Sequence, residues 1–166
     1  MPNYTRAYIP GGTFFFTVAL LERQRCLLTD YIEPLREAFR SVQAKRNFTI
    51  DAIVILPDHL HCIWTLPLDD VDYSTRWRLI KTRFARGVPP SERLSARRRN
   101  TGERGIWQRR FWEHAIRDKR DFAAHVAYIP YNPVRHAPVR AAAEWPYSSI
   151  HSFSEREALS TGVATD

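Results

Sequence analysis

The sequence predicts an α+β fold of ferredoxin-like (RRM-like) type, an antiparallel sheet with helices on one face and one additional helix. Three observations lead there. Four short runs rich in β-branched and aromatic residues occur at 13–20, 48–56, 59–66 and 112–117. Apolar residues recur at helical spacing between the first and second runs, again between the third and fourth, and once more after the fourth. Finally, only Pro57-Asp58 separates the second run from the third, a connection that fits an antiparallel hairpin. Strand, helix, strand, strand, helix, strand is the ferredoxin-like order, and it leaves the second sheet face open.

Taken in order, residues 1–12 read as a polar, aromatic arm ending in the turn Pro10-Gly11-Gly12. Thr13 to Leu20 is the first strand, with Phe14, Phe16, Val18 and Leu20 on one face. Thr29 or Asp30 is expected to cap a helix running to about Arg46, with Leu35, Ala38, Phe39 and Val42 in its apolar stripe. Pro34 falls in its first turn, where a missing N–H is tolerated. Phe48 to Leu56 and His59 to Leu66 form the hairpin. Ser74 or Thr75 is expected to cap a second helix through about Arg86, with Trp77, Ile80 and Phe84 inward and Arg76, Lys81 and Arg83 on the other face. Gly87 to Gly105 reads as one unusually long connection. Trp112 to Arg117 is the fourth strand. Asp118 opens a third helix with Phe122, Val126 and Ile129 as its stripe, and Asn132-Pro133 is expected to end it. Trp145-Pro146-Tyr147-Ser148 reads as a docking turn. Residues 1–150 are thus expected to be a single domain and 151–166 a flexible tail.

The charge narrows the partner. Lys plus Arg outnumber Asp plus Glu by 25 to 18, a net +7 that favours a polyanion. The excess is local: twelve basic residues against Glu92 and Glu103 between Arg76 and Arg110, interleaved with Trp107. Such a run suggests a nucleic-acid surface built from Arg76, Arg78, Lys81, Arg83, Arg97, Arg98, Arg99, Arg109 and Arg110. The two cysteines, Cys26 and Cys62, have no paired spacing, and no leader or membrane-length apolar run is present, so a soluble intracellular chain with no membrane partner is expected.

The chemistry concentrates in Pro57-Asp58-His59-Leu60-His61-Cys62-Ile63-Trp64. The period-two alternation of a strand sends Leu60, Cys62 and Trp64 to the core and both histidines to the opposite face, close enough for two imidazoles to converge on one ion. Ligand softness alone does not exclude Zn²⁺ as that ion. On the third helix Tyr128 stands on the flank of the apolar stripe, and Asn132 follows one turn later. Two imidazoles and an amide oxygen leave coordination positions open for a phosphate oxygen, with Tyr128 as a nucleophile beside it.

With these residues the sequence resembles the REP-associated tyrosine transposases, a branch of the single-tyrosine HUH enzymes that cut and rejoin single-stranded DNA. The matching stretches include Tyr8-Ile9-Pro10-Gly11-Gly12-Thr13, Leu56 to Pro67, Ser74-Thr75-Arg76-Trp77-Arg78, Ile106 to His114, Asn132-Pro133-Val134 and Trp145-Pro146-Tyr147-Ser148, in order from about residue 4 to 150. The resemblance implies that His59 and His61 are the histidine pair, Tyr128 the nucleophile and Asn132 a further ligand of Mg²⁺ or Mn²⁺. It implies a covalent 5′-phosphotyrosine intermediate. It also implies REP-type hairpin DNA with a single-stranded tag as substrate, and a cytoplasmic, nucleoid-associated bacterial protein acting as a monomer or homodimer. The chain departs from the pattern at Pro130, where the family usually has a non-proline residue after the isoleucine. A proline there removes a helical hydrogen bond at roughly 3 kcal/mol and predicts that the helix ends or kinks near Ile129. The alternative function is a REP-hairpin-binding protein with weak or no catalysis. An RNA-binding sheet of similar topology gives His59, His61 and Tyr128 no role.

Overall fold

The structure, a computed structural model, describes residues 6–136 and 145–148, with 131–136 described in backbone only. In chain order it contains β1 (Thr13–Ala19), α1 (Leu27–Asp30), α2 (Ile32–Lys45), β2 (Thr49–Ile55), β3 (His59–Thr65), α3 (Tyr73–Arg86), α4 (Ala96–Thr101), β4 (Trp112–Ala115) and α5 (Lys119–His136). The four strands form one sheet in the order β2-β3-β1-β4, every neighbouring pair antiparallel. This is the ferredoxin-like arrangement, with β1 and β3 central because the β2–β3 hairpin turns tightly through Pro57-Asp58, where Leu56 N–H donates to the His59 carbonyl.

Strand alternation sorts the sheet into two faces. Phe14, Phe16 and Val18 from β1 and Leu60, Cys62 and Trp64 from β3 pack against α2 and α3, with Leu35, Phe39, Trp77, Ile80 and Phe84 completing the main core. The indoles of Trp64 and Trp77 stack at 4.2 Å across this layer. The other face is not open along its whole width. α5 lies over it, and Ile129 closes a second small core with Phe15, Ala52, Val54 and Ile63.

Several local expectations are corrected. The first helix begins before Thr29: α1 already covers Leu27 and Leu28, both buried, and Thr29 Oγ1 bonds back to the Cys26 carbonyl instead of capping. α2 starts anew after Tyr31, with Pro34 in its first turn. The cap of α3 is Asp72, whose side chain accepts from Thr75 N–H at 3.0 Å, so neither Ser74 nor Thr75 serves. A short helix, α4, interrupts the stretch read as one long connection. Ser95 accepts from Arg98 N–H at its start, and Gly102 at φ 71° ends it in the left-handed region that glycine adopts without strain. Arg104 pins this segment by pairing with Glu92 and donating to the carbonyls of Ala85 and Val88.

The helix carrying Tyr128 does not end at Ile129 or at Asn132-Pro133; α5 runs through both prolines to His136. Asp118 opens it as expected, accepting from Asp121 N–H at 2.8 Å. Ile129 is fully buried, and burying such a side chain contributes roughly 1.5–3 kcal/mol, comparable with the bond that Pro130 removes. The Trp145–Ser148 turn docks on the outer edge of β2. Trp145 Nε1 donates to the Ile55 carbonyl at 2.7 Å, and Ile55 N–H donates to Tyr147. This covers polar groups that an edge strand would otherwise leave unpaired. The tail expected at 151–166 lies outside the described residues. Among the described residues no helix is long and apolar enough to cross a membrane.

Candidate active site

The register of the sheet builds the site. On the α5 face one row of cross-strand neighbours reads Val54, His61, Thr17, Trp112, and the next reads Ala52, Ile63, Phe15, His114. His59, opposite Ala19, continues the face toward the hairpin. The two imidazoles stand side by side as the alternation predicts, ring centroids 5.0 Å apart and nearly perpendicular. They are not on an exposed surface: α5 and the hairpin bury them to 7% and 6% exposure.

Each ring is held at Nδ1. Thr17 Oγ1 lies 2.8 Å from His61 Nδ1. Asp58 Oδ1 lies 2.7 Å from His59 Nδ1, and Arg23 holds the same carboxylate through Nε at 2.7 Å. Burial works to raise the Asp58 carboxyl, but the bonds from His59 and Arg23 outweigh it and hold Asp58 below its ordinary value. A carboxylate or hydroxyl on the far nitrogen fixes the tautomer that coordinates through Nε2, the usual arrangement around ligating histidines. The donor chemistry of this pair therefore fits a divalent ion.

Tyr128 reaches the pair from α5. Its ring centroid is 5.5 Å from that of His61 and 6.0 Å from that of Phe15, and the residue is 39% exposed. Phe15, Thr17, His61, Trp112, His125 and Tyr128 help to line a cavity of about 390 Å³ between α5 and the sheet. The phenol thus shares an open cavity with one of the histidines. Asn132 lies one turn beyond Tyr128 on the α5 backbone, while its side chain falls outside the described residues.

A second titratable group was missed in the sequence. His114 Nε2 lies 2.9 Å from Asp121 Oδ2, and His125 Nδ1 lies 3.1 Å from Asp121 Oδ1. The Arg117 N–H and then His114 draw the Asp121 carboxyl down to about 2. The ligand atoms of the three residues lie within 4.8 Å of one another, so this group too has donors suited to a divalent ion. Its sequence signal was the four-residue spacing of Asp121 and His125 on one helix face; His114 joins only through the sheet.

The basic residues divide. Arg76 departs from its expected place on a DNA-contacting face: it is 3% exposed. Its five N–H donors go to Asp70, the Asp72 carbonyl and the carbonyls of Arg46 and Asn47. It is a strut between α3 and the end of α2. Lys81 donates to the Gln108 carbonyl at 2.8 Å, and burial lowers its ammonium to about 8. Arg98 and Arg109 pair with Glu103. Arg78, Arg83, Arg97, Arg99 and Arg110 are exposed. Arg78, Lys81, Arg86, Arg104 and Arg109 line a cavity of about 650 Å³ with Trp107, outside α3 and across the sheet from Tyr128.

This geometry sits in a chain with recognisable relatives. Residues 14–132 match the family model described as IS200-like transposase. A REP-associated tyrosine transposase of Escherichia coli K12 is 47% identical over 151 residues, spanning 91% of this chain and 84% of that one. This chain belongs to the REP-associated tyrosine transposases. Within these transposases, a Haemophilus influenzae relative is 46% identical over 152 residues, 91% of this chain and 86% of its own. A solved REP-associated tyrosine transposase bound to a REP hairpin superposes with a TM-score of 0.81 at 46% identity, covering 95% of this chain and 87% of that one. The ferredoxin-like sheet and the helix after it are therefore shared with a transposase.

Proposed function

We propose that this protein cuts and rejoins single-stranded DNA beside REP-type hairpins, with Tyr128 as the nucleophile. The observation that carries the reading is the Tyr128 ring 5.5 Å from His61 in a shared, open cavity, the two residues coming from different layers of the fold. The structural relative bound to a REP hairpin supports hairpin DNA as the substrate class.

In the proposed reaction the Tyr128 hydroxyl loses its proton and attacks a backbone phosphorus. The bond from phosphorus to the 3′ oxygen breaks, the 3′ oxygen takes up a proton, and the 5′ end stays attached as a phosphotyrosine. Rejoining reverses these steps with a 3′ hydroxyl as attacking group. Mg²⁺ or Mn²⁺ held by His59, His61 and Asn132 would withdraw charge from the phosphate and fix its orientation. Thr17 and Asp58 keep the imidazoles in place, and Ile129 anchors the turn of α5 that carries the tyrosine. Arg78, Lys81, Arg83, Arg97, Arg98, Arg99, Arg109 and Arg110 supply the positive surface for the phosphate backbone.

The test is a denaturing gel of the protein with end-labelled hairpin DNA carrying a single-stranded tag, in Mn²⁺. A labelled covalent adduct is expected for the native protein and none for Tyr128→Phe, whose hairpin affinity should stay within a few-fold. A shift seen only on native gels would instead make the protein a hairpin binder. An adduct persisting in Tyr128→Phe would move the nucleophile to another residue, Tyr131 first.

A further inference from the structure

Trp112 is unexplained by the chemistry above. It is 49% exposed although it sits in a strand, and it lines the cavity that holds His61 and Tyr128. Its indole lies parallel to the His114 ring at 6.0 Å and 8°, and His114 in turn stacks on His125 at 4.7 Å and 20°. Asp121 bonds both imidazoles, and Phe15 meets the indole edge-on at 6.0 Å. The result is a column of three near-parallel rings, braced at its base by Asp121, with the indole 49% exposed.

From these contacts we infer that Trp112 is the stacking platform for one unpaired base of the DNA strand being cut, next to the scissile phosphate. This rests on the functional reading above and adds a base-binding subsite to it. Three features point to a nucleotide base. Trp112 occupies the same cross-strand row as His61, two strands away, so the platform stands roughly 10 Å from the histidine, within reach of a neighbouring nucleotide. Exposed cations flank it in sequence, Arg110 before β4 and Lys119 and Arg120 after it, as a strand with phosphates on both sides of the base requires. And the indole already rests against His114 and Phe15, contacts that lower the cost of ordering the side chain when a base stacks on it. The His114–Asp121–His125 group acts here as the brace that keeps the indole upright.

The experiment pairs protein and DNA changes. Hairpin DNA with a single-stranded tag is prepared with an abasic site at each tag position in turn, and affinity is measured for the native protein, Trp112→Leu and Trp112→Phe. Trp112→Leu keeps an apolar cover over Phe15 but has no aromatic face. One abasic position should weaken native binding about tenfold, in the range measured for stacking of a base on an aromatic ring. Trp112→Leu should lose a similar factor on intact DNA and nothing further at that position, while Trp112→Phe retains most of the affinity. With 2-aminopurine at the same position, quenching on binding should vanish in Trp112→Leu. Losses that add at every position, or unchanged affinity in Trp112→Leu, would overturn the subsite and leave hairpin binding intact. If native protein binds no hairpin DNA, both the subsite and the functional reading fall. A melting temperature for Trp112→Leu equal to that of the native protein separates the effect from loss of fold.

Discussion

Thr17 is the residue on which the histidine pair turns, because its hydroxyl sits on His61 Nδ1 at 2.8 Å from the neighbouring strand. Thr17→Val keeps the shape and removes the bond, so Mn²⁺ affinity by calorimetry should fall about 10–100-fold with little change in stability. Unchanged affinity would mean that the Thr17 bond is not what orients His61. Lys81 gives a second expectation, this one in pH. Its folded value of about 8 lies below its ordinary 10.5, so across that window the unfolded chain keeps a proton that the folded chain has released. Stability should therefore rise with pH between 8 and 10.5, and urea titrations of Lys81→Met should show that rise flattened. The face of His59 and His61 was legible from strand periodicity alone. Thr17, His114 and the burial of Arg76 were not, since each depends on a partner far along the chain that only the register or the tertiary packing reveals.

At the scale of elements, α5 is the instructive case. Local rules read Pro130 and Asn132-Pro133 as breaks, but tertiary anchoring by Ile129 carries the helix through. If that balance is correct, Pro130→Ala restores a donor to the Val126 carbonyl and should raise unfolding stability by up to about 3 kcal/mol in a thermal or urea melt. Tyr128 lies upstream and should react as before. A drop in stability would show that the restriction proline imposes on the unfolded chain outweighs the missing bond. The strands and the main helices were readable because each has one apolar face against the core. Helix starts were less so: Asp72 competed with Ser74 and Thr75 within a few residues, and α1 begins with buried leucines instead of a capping side chain. α4 has no buried residue, so it lacked the apolar stripe by which a helix is recognised in sequence.

For the molecule as a whole, the basic cavity outside α3 and the Tyr128 cavity under α5 lie on opposite faces of one sheet. A hairpin bound through one and cut at the other has to pass round the β4 edge, between Arg109-Arg110 and Arg117. Affinity should therefore fall steeply with salt, and neutralising the exposed pair Arg97 and Arg99 should flatten the log–log slope by up to about 1.4 if both contact the single strand. An unchanged slope would place the DNA away from α4. The late position of α5 has a consequence during synthesis. The four strands and both histidines leave the ribosome before residue 128 does. On the proposed chemistry, a nascent or stalled chain that has emerged only through β4 carries both histidines but no nucleophile, and the capacity to break DNA arrives only with α5.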